Sequence, residues 1–383
     1  MAKKILIISQ TPTHPQNAGN RARIFNMAEY IISLGHDVWM LHAKEQDCNI
    51  EAVREYWNGK YYEVPYKRPK TVRKEISRIK RLLNLDKNEK YYIEIDDDFN
   101  PNLHNILPQI VKEHHFDIVL VEYIFLTKAL EYFDDTTLKI VDTHDIMANR
   151  HKLFQKQGKE PSWYSVKPSE EKKGVNRADV VIAIQQHEKK YFQKISSRKV
   201  VSVGHLVTTI DVEPKELPRK KILFIGSDNP INLHGLEYFL TECWPEILRS
   251  LPDMEFIIAG NICNKIGVHN GVKKIGAVDD IASAYEMSDI VINPLILGTG
   301  LKIKMIEALG RSKIVLSSNI GAEGLEKGIN NAFLLANSPA DYVSVLNKLF
   351  GVSSLGKKLS KGAYEFAKQC NEANAKELAE LFK

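Results

Sequence analysis

Two short apolar runs, KKILIIS from Lys3 and KKILFIG from Lys220, each end in a polar, turn-forming stretch and then give way to helical spacing. After the first, Gly19 and Asn20 precede Ile24, Ala28, Ile31 and Ile32, and a second strand, DVWMLH, follows Gly35. After the second, Leu236, Phe239, Leu240, Ile247 and Leu248 mark a helix that leads into the strand MEFIIAG. Strand, helix, strand, made twice, predicts two doubly wound α/β units. Further strands are expected at FDIVLVE, LKIVDT, ADVVIAI and KVVSV in the first half, and at GVKKIG, DIVINPL, SKIVLSS and NAFLLA in the second. HLVTTIDVEPKELPRKK, from His205 to Lys221, lacks periodicity, holds Pro214 and Pro218, and reads as the linker. The expected division is therefore a first domain over 1–205, a linker over 206–221, a second domain over 222–355 and a charged helical tail over 356–383. A chain of 383 residues is comfortable for two such cores. Two such domains turn the carboxyl ends of their strands toward a shared cleft, which suits a reaction between two substrates.

Composition narrows the classes. Hydrophobic content of 44% and charged content of 26% are those of an ordinary globular protein. The net charge of +5 is mild and does not argue for nucleic acid, which calls for a more concentrated basic face. Cys48, Cys243, Cys263 and Cys370 show no paired spacing, so neither a disulfide framework nor a zinc cluster is expected, and a reducing compartment is the simpler home. The opening MAKKILIISQTPTHPQN turns polar after Ser9, too soon for a signal peptide. No run approaches the roughly 18 apolar residues of a membrane span. The expected location is cytoplasmic.

The stretch GTGLKIKMIEALG, residues 298–310, sits between two apolar strands. Gly298 and Gly300 let a ligand approach the backbone, and a helix starting near Leu301 offers unpaired N–H groups and a positive dipole end to a phosphate. Lys302 and Lys304 place cations at that same end, a cost unless an anion is present. Glu307 is spaced to accept hydrogen bonds from paired hydroxyls such as a ribose diol. A glycine turn with two solvated lysines and a surface glutamate is the bland alternative.

DIVINPLILGTGLKIKMIEALGRSKIVLSSNIGAEGLE resembles the donor-binding segment of the family-four retaining glycosyltransferases, also called glycosyl transferases group 1. GAVDDIASAYEMSDIVINPL and LFIGSDNPINLHGLEYFL resemble that family's preceding helix and its first nucleotide-binding strand and loop. The resemblance covers most of residues 220–350 and, more loosely, the first half. It implies the GT-B fold, two Rossmann-like domains facing a cleft, and a nucleotide-diphosphate sugar, UDP- or GDP-linked, held by the second domain. It gives Glu307 the ribose. The family's usual sugar-contacting glutamate, eight positions earlier, is Thr299 here. After Gly226, the glycine that ends the first strand, the places of a diphosphate-binding Arg and Lys are taken by Ser227 and Asn232, for which Lys302 and Lys304 are the substitutes.

In the first half, SQTPTHPQNAGNRARIFNMAEYI resembles the family's first loop, with Gly19, Asn20 and Arg21 or Arg23 toward the acceptor. LKIVDTHDIMANRHKLF ends a strand with Asp142, His144 and Asp145, where ligands bind in an open α/β sheet. Relatives carry a similar D-x-H-D segment, which places His144 beside the acceptor or donor sugar, either to carry a proton or to position the sugar. IEIDDDFN invites a metal at Asp96 to Asp98, but an acidic surface loop is the expectation, and no catalytic metal or other cofactor is expected. Val72, Ile76, Ile79 and Leu83 line one side of a basic helix within 67–83, suited either to peripheral contact with anionic lipid or to packing on its own domain.

The expected activity is a metal-independent, retaining transfer of a hexosyl or related sugar to a glycan, lipid-linked or other acceptor, in polysaccharide biosynthesis. Thr299, Ser227 and Asn232 leave a catalytically weak binding subunit as an alternative, and a sugar-nucleotide epimerase shares the architecture. A dinucleotide oxidoreductase is disfavoured because no GxGxxG follows either opening strand.

Overall fold

The structure, a computed structural model, describes residues 2–44, 48–67, 88–161, 164–212, 218–278 and 280–383. The basic stretch expected to meet lipid lies, but for Lys67, outside the described residues, as does the middle of the expected linker. Among the described residues no helix is long and apolar enough to cross a membrane.

The chain divides into two units. Unit 1 comprises Met1–Pro15, Met27–Val203 and Glu377–Lys383, and unit 2 comprises Gln16–Asn26 and Gly204–Lys376. In chain order the first sheet's elements are β1 (Lys4–Ser9), α1 (Gly19–Ser33), β2 (Asp37–Lys44), α2 (Ile50–Trp57), β3 (Tyr61–Pro65), α3 (Leu103–Glu113), β4 (Ile118–Glu122), β5 (Leu138–Asp142), α4 (His151–Lys156), α5 (Pro168–Val175), β6 (Val180–Ala183), α6 (Gln186–Ile195) and β7 (Lys199–Ser202). The strands run in the order β3-β2-β1-β4-β5-β6-β7, every neighbouring pair parallel. β4, read as IVLVE, is buried at every position, as a parallel strand covered on both faces must be. β3 is an addition to the expected strands.

Unit 2 contains β8 (Lys221–Ile225), α7 (Pro230–Tyr238), α8 (Trp244–Ser250), β9 (Glu255–Ala259), β10 (Val272–Gly276), α9 (Ile281–Glu286), β11 (Ile290–Asn293), α10 (Ile303–Gly310), β12 (Ile314–Ser317), β13 (Phe333–Leu335), α11 (Pro339–Gly351) and most of α12 (Ser353–Leu381). Its parallel strands run β10-β9-β8-β11-β12-β13. Phe224, Phe239, Phe256 and Tyr342 pack in one of its cores, with Phe239 in edge contact with both Phe256 and Tyr342.

Two sequence boundaries differ from the observed division. Residues 356–383 do not form a separate tail. Leu359, Ala363 and Ala367 of α12 are buried in the unit 2 cores, and Phe382 is buried in unit 1 near His36. Nor is the start of the expected linker loose. Ile210 N–H donates to the Gly310 carbonyl at 2.7 Å, and Asn371 holds Val207 at both its N–H and its carbonyl.

Candidate functional site

In unit 2 the strand order reverses between β8 and β11, the position at which open α/β sheets bind ligands beyond their strand ends. The loop after β8 is tied to the start of α7: Asn229 accepts from the Asn232 N–H at 2.8 Å, and Asn232 Nδ2 donates to the Ser227 carbonyl at 3.0 Å. Gly260, with φ of 100°, packs so tightly under this loop that a Cβ there would lie 2.2 Å from the Gly226 carbonyl oxygen. After β11, Gly298 and Gly300 take φ of 131° and 75°, the left-handed region that glycine enters without strain. The helix begins at Ile303, later than the expected Leu301, because Lys302 is extended (ψ 90°) and serves as its N-cap without a side-chain capping bond.

The two lysines have different work. Lys302 folds back on its own loop, donating to the Thr299 and Gly300 carbonyls at 3.1 and 2.5 Å, with Glu323 3.7 Å away. Lys304 crosses to the first turn of α7, donating to Asn232 Oδ1 at 2.6 Å above the Phe224 ring. Burial, with the charge of Lys302 second, brings the Lys304 pKa down to about 7. The hydroxyl of Thr299 is buried and has no hydrogen-bond partner among the described residues. Glu307 keeps a partly exposed carboxylate one turn on, 3.7 Å from His205 Nε2. The Tyr285 phenol donates to the Lys304 carbonyl, and burial together with the Glu307 charge raises its pKa well above the ordinary value. His205, wholly buried, is a site residue that sequence reasoning misses, because it stands in the stretch that reads as a linker.

In unit 1 the candidate residues gather at the ends of β4 and β5, next to the reversal between β1 and β4. His144 Nε2 lies 2.5 Å from Glu122 and 3.6 Å from Asp142, and its ring stacks on Tyr123 with centroids 4.0 Å apart. Asp145 is paired with Arg150 at 2.7 Å. Glu122 ends the strand FDIVLVE, and nothing in that strand singles it out, because its role depends on β5 lying beside it. Among the described residues, Glu122, Asp142 and His144 also form a group whose donor atoms lie within 4.8 Å of one another, as a metal site requires.

Gly19, Asn20 and Arg21 open α1 within unit 2, where a Cβ on Gly19 would lie 3.2 Å from Ile303, the first residue of α10. Arg23 is buried, its guanidinium donating to the Gly204 carbonyl, so the alternative of Arg23 facing an acceptor is overturned. Asp96 is engaged by Arg177 and Lys173. Burial opposes its ionisation, but hydrogen bonds from those two cations outweigh it and hold the pKa at about 2.

Residues 219–351 match the family described as glycosyl transferases group 1. Over nearly its whole length the chain is 23% identical to a Klebsiella pneumoniae protein described as an "Uncharacterized 44.6 kDa protein in cps region", with 99% of each covered. Among solved structures, the chain is similar to a mutant of S. aureus TarM in complex with Fondaparinux, alpha-GlcNAc-glycerol and UDP, at TM-score 0.68 and 13% identity, covering 100% of both chains. It is similar also to Anabaena Alr3699/HepE in complex with UDP-glucose, at TM-score 0.61 and 13% identity, covering 99% of this chain and 100% of that one. Residues 219–351 thus match the group 1 glycosyl transferase family, and the two parallel sheets are those of the GT-B fold, with two Rossmann-like domains.

Proposed function

We propose that the protein is a metal-independent, retaining glycosyltransferase that moves a sugar from a UDP- or GDP-linked donor to a glycan or lipid-linked acceptor. The observation that carries this is Lys304, a partly buried amine aimed at Asn232 beside the start of α10. A cation at a helix N-terminus opposes the dipole, a cost that an anion bound there offsets. A diphosphate supplies that anion, and the same charge stabilises it as it leaves, so no divalent ion is required. Glu307 takes the ribose hydroxyls and Thr299 faces the transferred sugar. His144 serves the acceptor from unit 1. In the reaction the sugar's anomeric carbon exchanges its bond to the diphosphate for a bond to the acceptor oxygen, on the same face, as the acceptor hydroxyl's proton passes to the departing diphosphate oxygen. The UDP of the TarM complex and the UDP-glucose of the HepE complex support the choice of donor class. Peripheral contact of 67–83 with anionic lipid belongs to the same proposal.

Thermal-shift screening against UDP, GDP and their sugars, followed by turnover in excess EDTA and NMR of the product, tests the proposal. Stabilisation by a nucleotide diphosphate, EDTA-resistant transfer and a retained anomeric configuration are expected. Turnover silenced by EDTA and restored by manganese would overturn the metal-independent mechanism.

A further inference from the structure

At the ends of β4 and β5, Glu122 stands beside Asp142 and His144 with no role assigned to it by the sequence. Glu122 and Asp142 are register partners, the last residues of adjacent parallel strands, and both side chains are essentially withdrawn from solvent. Two carboxylates side by side in a sheet interior need hydrogen-bond donors. His144 Nε2 is hydrogen-bonded to Glu122 at 2.5 Å, with Asp142 3.6 Å away. Tyr123 stacks on the imidazole at 13° between planes, which leaves the ring little freedom to turn. Both Tyr123 and His144 have positive φ, 66° and 58°, a conformation non-glycine residues hold only where the surroundings over-determine it.

A hydrogen bond from Nε2 to an ionised Glu122 requires the proton on Nε2, because a carboxylate accepts hydrogen bonds and donates none. The other nitrogen, Nδ1, has no hydrogen-bond partner among the described residues and is not among the buried unpartnered atoms, so it is the nitrogen left for a ligand. We infer that Glu122 and Asp142 are positioning residues that fix His144 in its Nε2–H form and leave Nδ1 as the nitrogen that meets a substrate hydroxyl. The inference rests on the proposed function only in naming that ligand. The tautomer and its cause are properties of unit 1 itself. For metal-bound histidines, loss of the carboxylate that orients the ring typically costs about 10–100-fold in activity, and a loss of that order is expected here.

Long-range nitrogen–proton NMR of the full chain reads the tautomer, with His144→Ala for assignment. The Nε2–H form is expected in the wild type. In Glu122→Gln, whose amide can present either a donor or an acceptor, a loss or mixing of that form is expected. With a nucleotide sugar as substrate, kcat should fall by about 10–100-fold while KM for the donor holds, and Asp142→Asn should shift the tautomer less. An Nδ1–H form in the wild type, or an unchanged tautomer in Glu122→Gln, would overturn the inference. Stoichiometric Zn²⁺ or Mn²⁺ binding that disappears in Glu122→Gln would replace it with a metal centre. If no nucleotide sugar turns over, the transferase proposal fails while the NMR result still decides the tautomer.

Discussion

Lys304 sits at the start of α10 beside Lys302 and over the Phe224 ring, and burial brings its pKa to about 7 from an ordinary 10.5. Between those two values the folded protein holds the amine neutral while the unfolded chain holds it charged. The unfolded chain therefore binds more protons there, and this group's contribution to stability rises with pH from about 7 upward; below about 7 the full cost of the buried ammonium is carried. A bound diphosphate favours the charged form and must draw a proton in above pH 7. Calorimetric titration with UDP or GDP at about pH 8, in buffers of different ionisation enthalpy, should show an uptake approaching one proton per nucleotide. Affinity should weaken as pH rises further. In Lys304→Ala the uptake should vanish and affinity fall by about ten- to a hundredfold, the worth of a charged hydrogen bond.

The loops of unit 2 depend on close backbone approach. Gly260 follows β9 with φ of 100°, and no side chain fits between it and the Gly226 carbonyl. Gly260→Ala should cost more than the roughly 1 kcal/mol of a left-handed alanine, because the β8–α7 loop must also shift. Denaturant melts would register the stability loss, and nucleotide titration the displaced loop. The elements themselves are largely legible in the sequence: apolar runs such as FDIVLVE and DIVINPL form β4 and β11 because a parallel strand buried on both faces needs continuous hydrophobicity. β3 escapes because it is an edge strand, mostly half-buried, ending in Pro65. Sequence places the α10 start two residues early because Leu301 and Lys302 have helical propensity, while the backbone there follows the turn of Gly298 and Gly300. In the site, Glu307 and the lysines can be found from spacing along one segment. Glu122 cannot, since its partner Asp142 lies on the next strand and meets it only through register.

At the scale of the molecule, neither unit is a continuous run of sequence. Unit 1 is closed by Glu377–Lys383, where Leu378, Leu381 and Phe382 are buried. Phe382→Ala should destabilise unit 1 by about 3–5 kcal/mol, as truncation of a buried aromatic does. Calorimetry should show the lost stability as an earlier transition. An unchanged melting curve would mean that the end of α12 contributes nothing to that core.

That arrangement bears on how the protein is made. A ribosome finishes the seven-stranded sheet with Ser202, yet the residues that complete its unit emerge only after all of Gly204–Lys376 has been translated. At roughly 5–20 residues per second this is a wait on the order of 10–30 s. Through that interval the surface due to receive Leu378 and Phe382 stays uncovered on the nascent chain. The unit begun first is thus the last to be finished, and chaperones have their longest opportunity there.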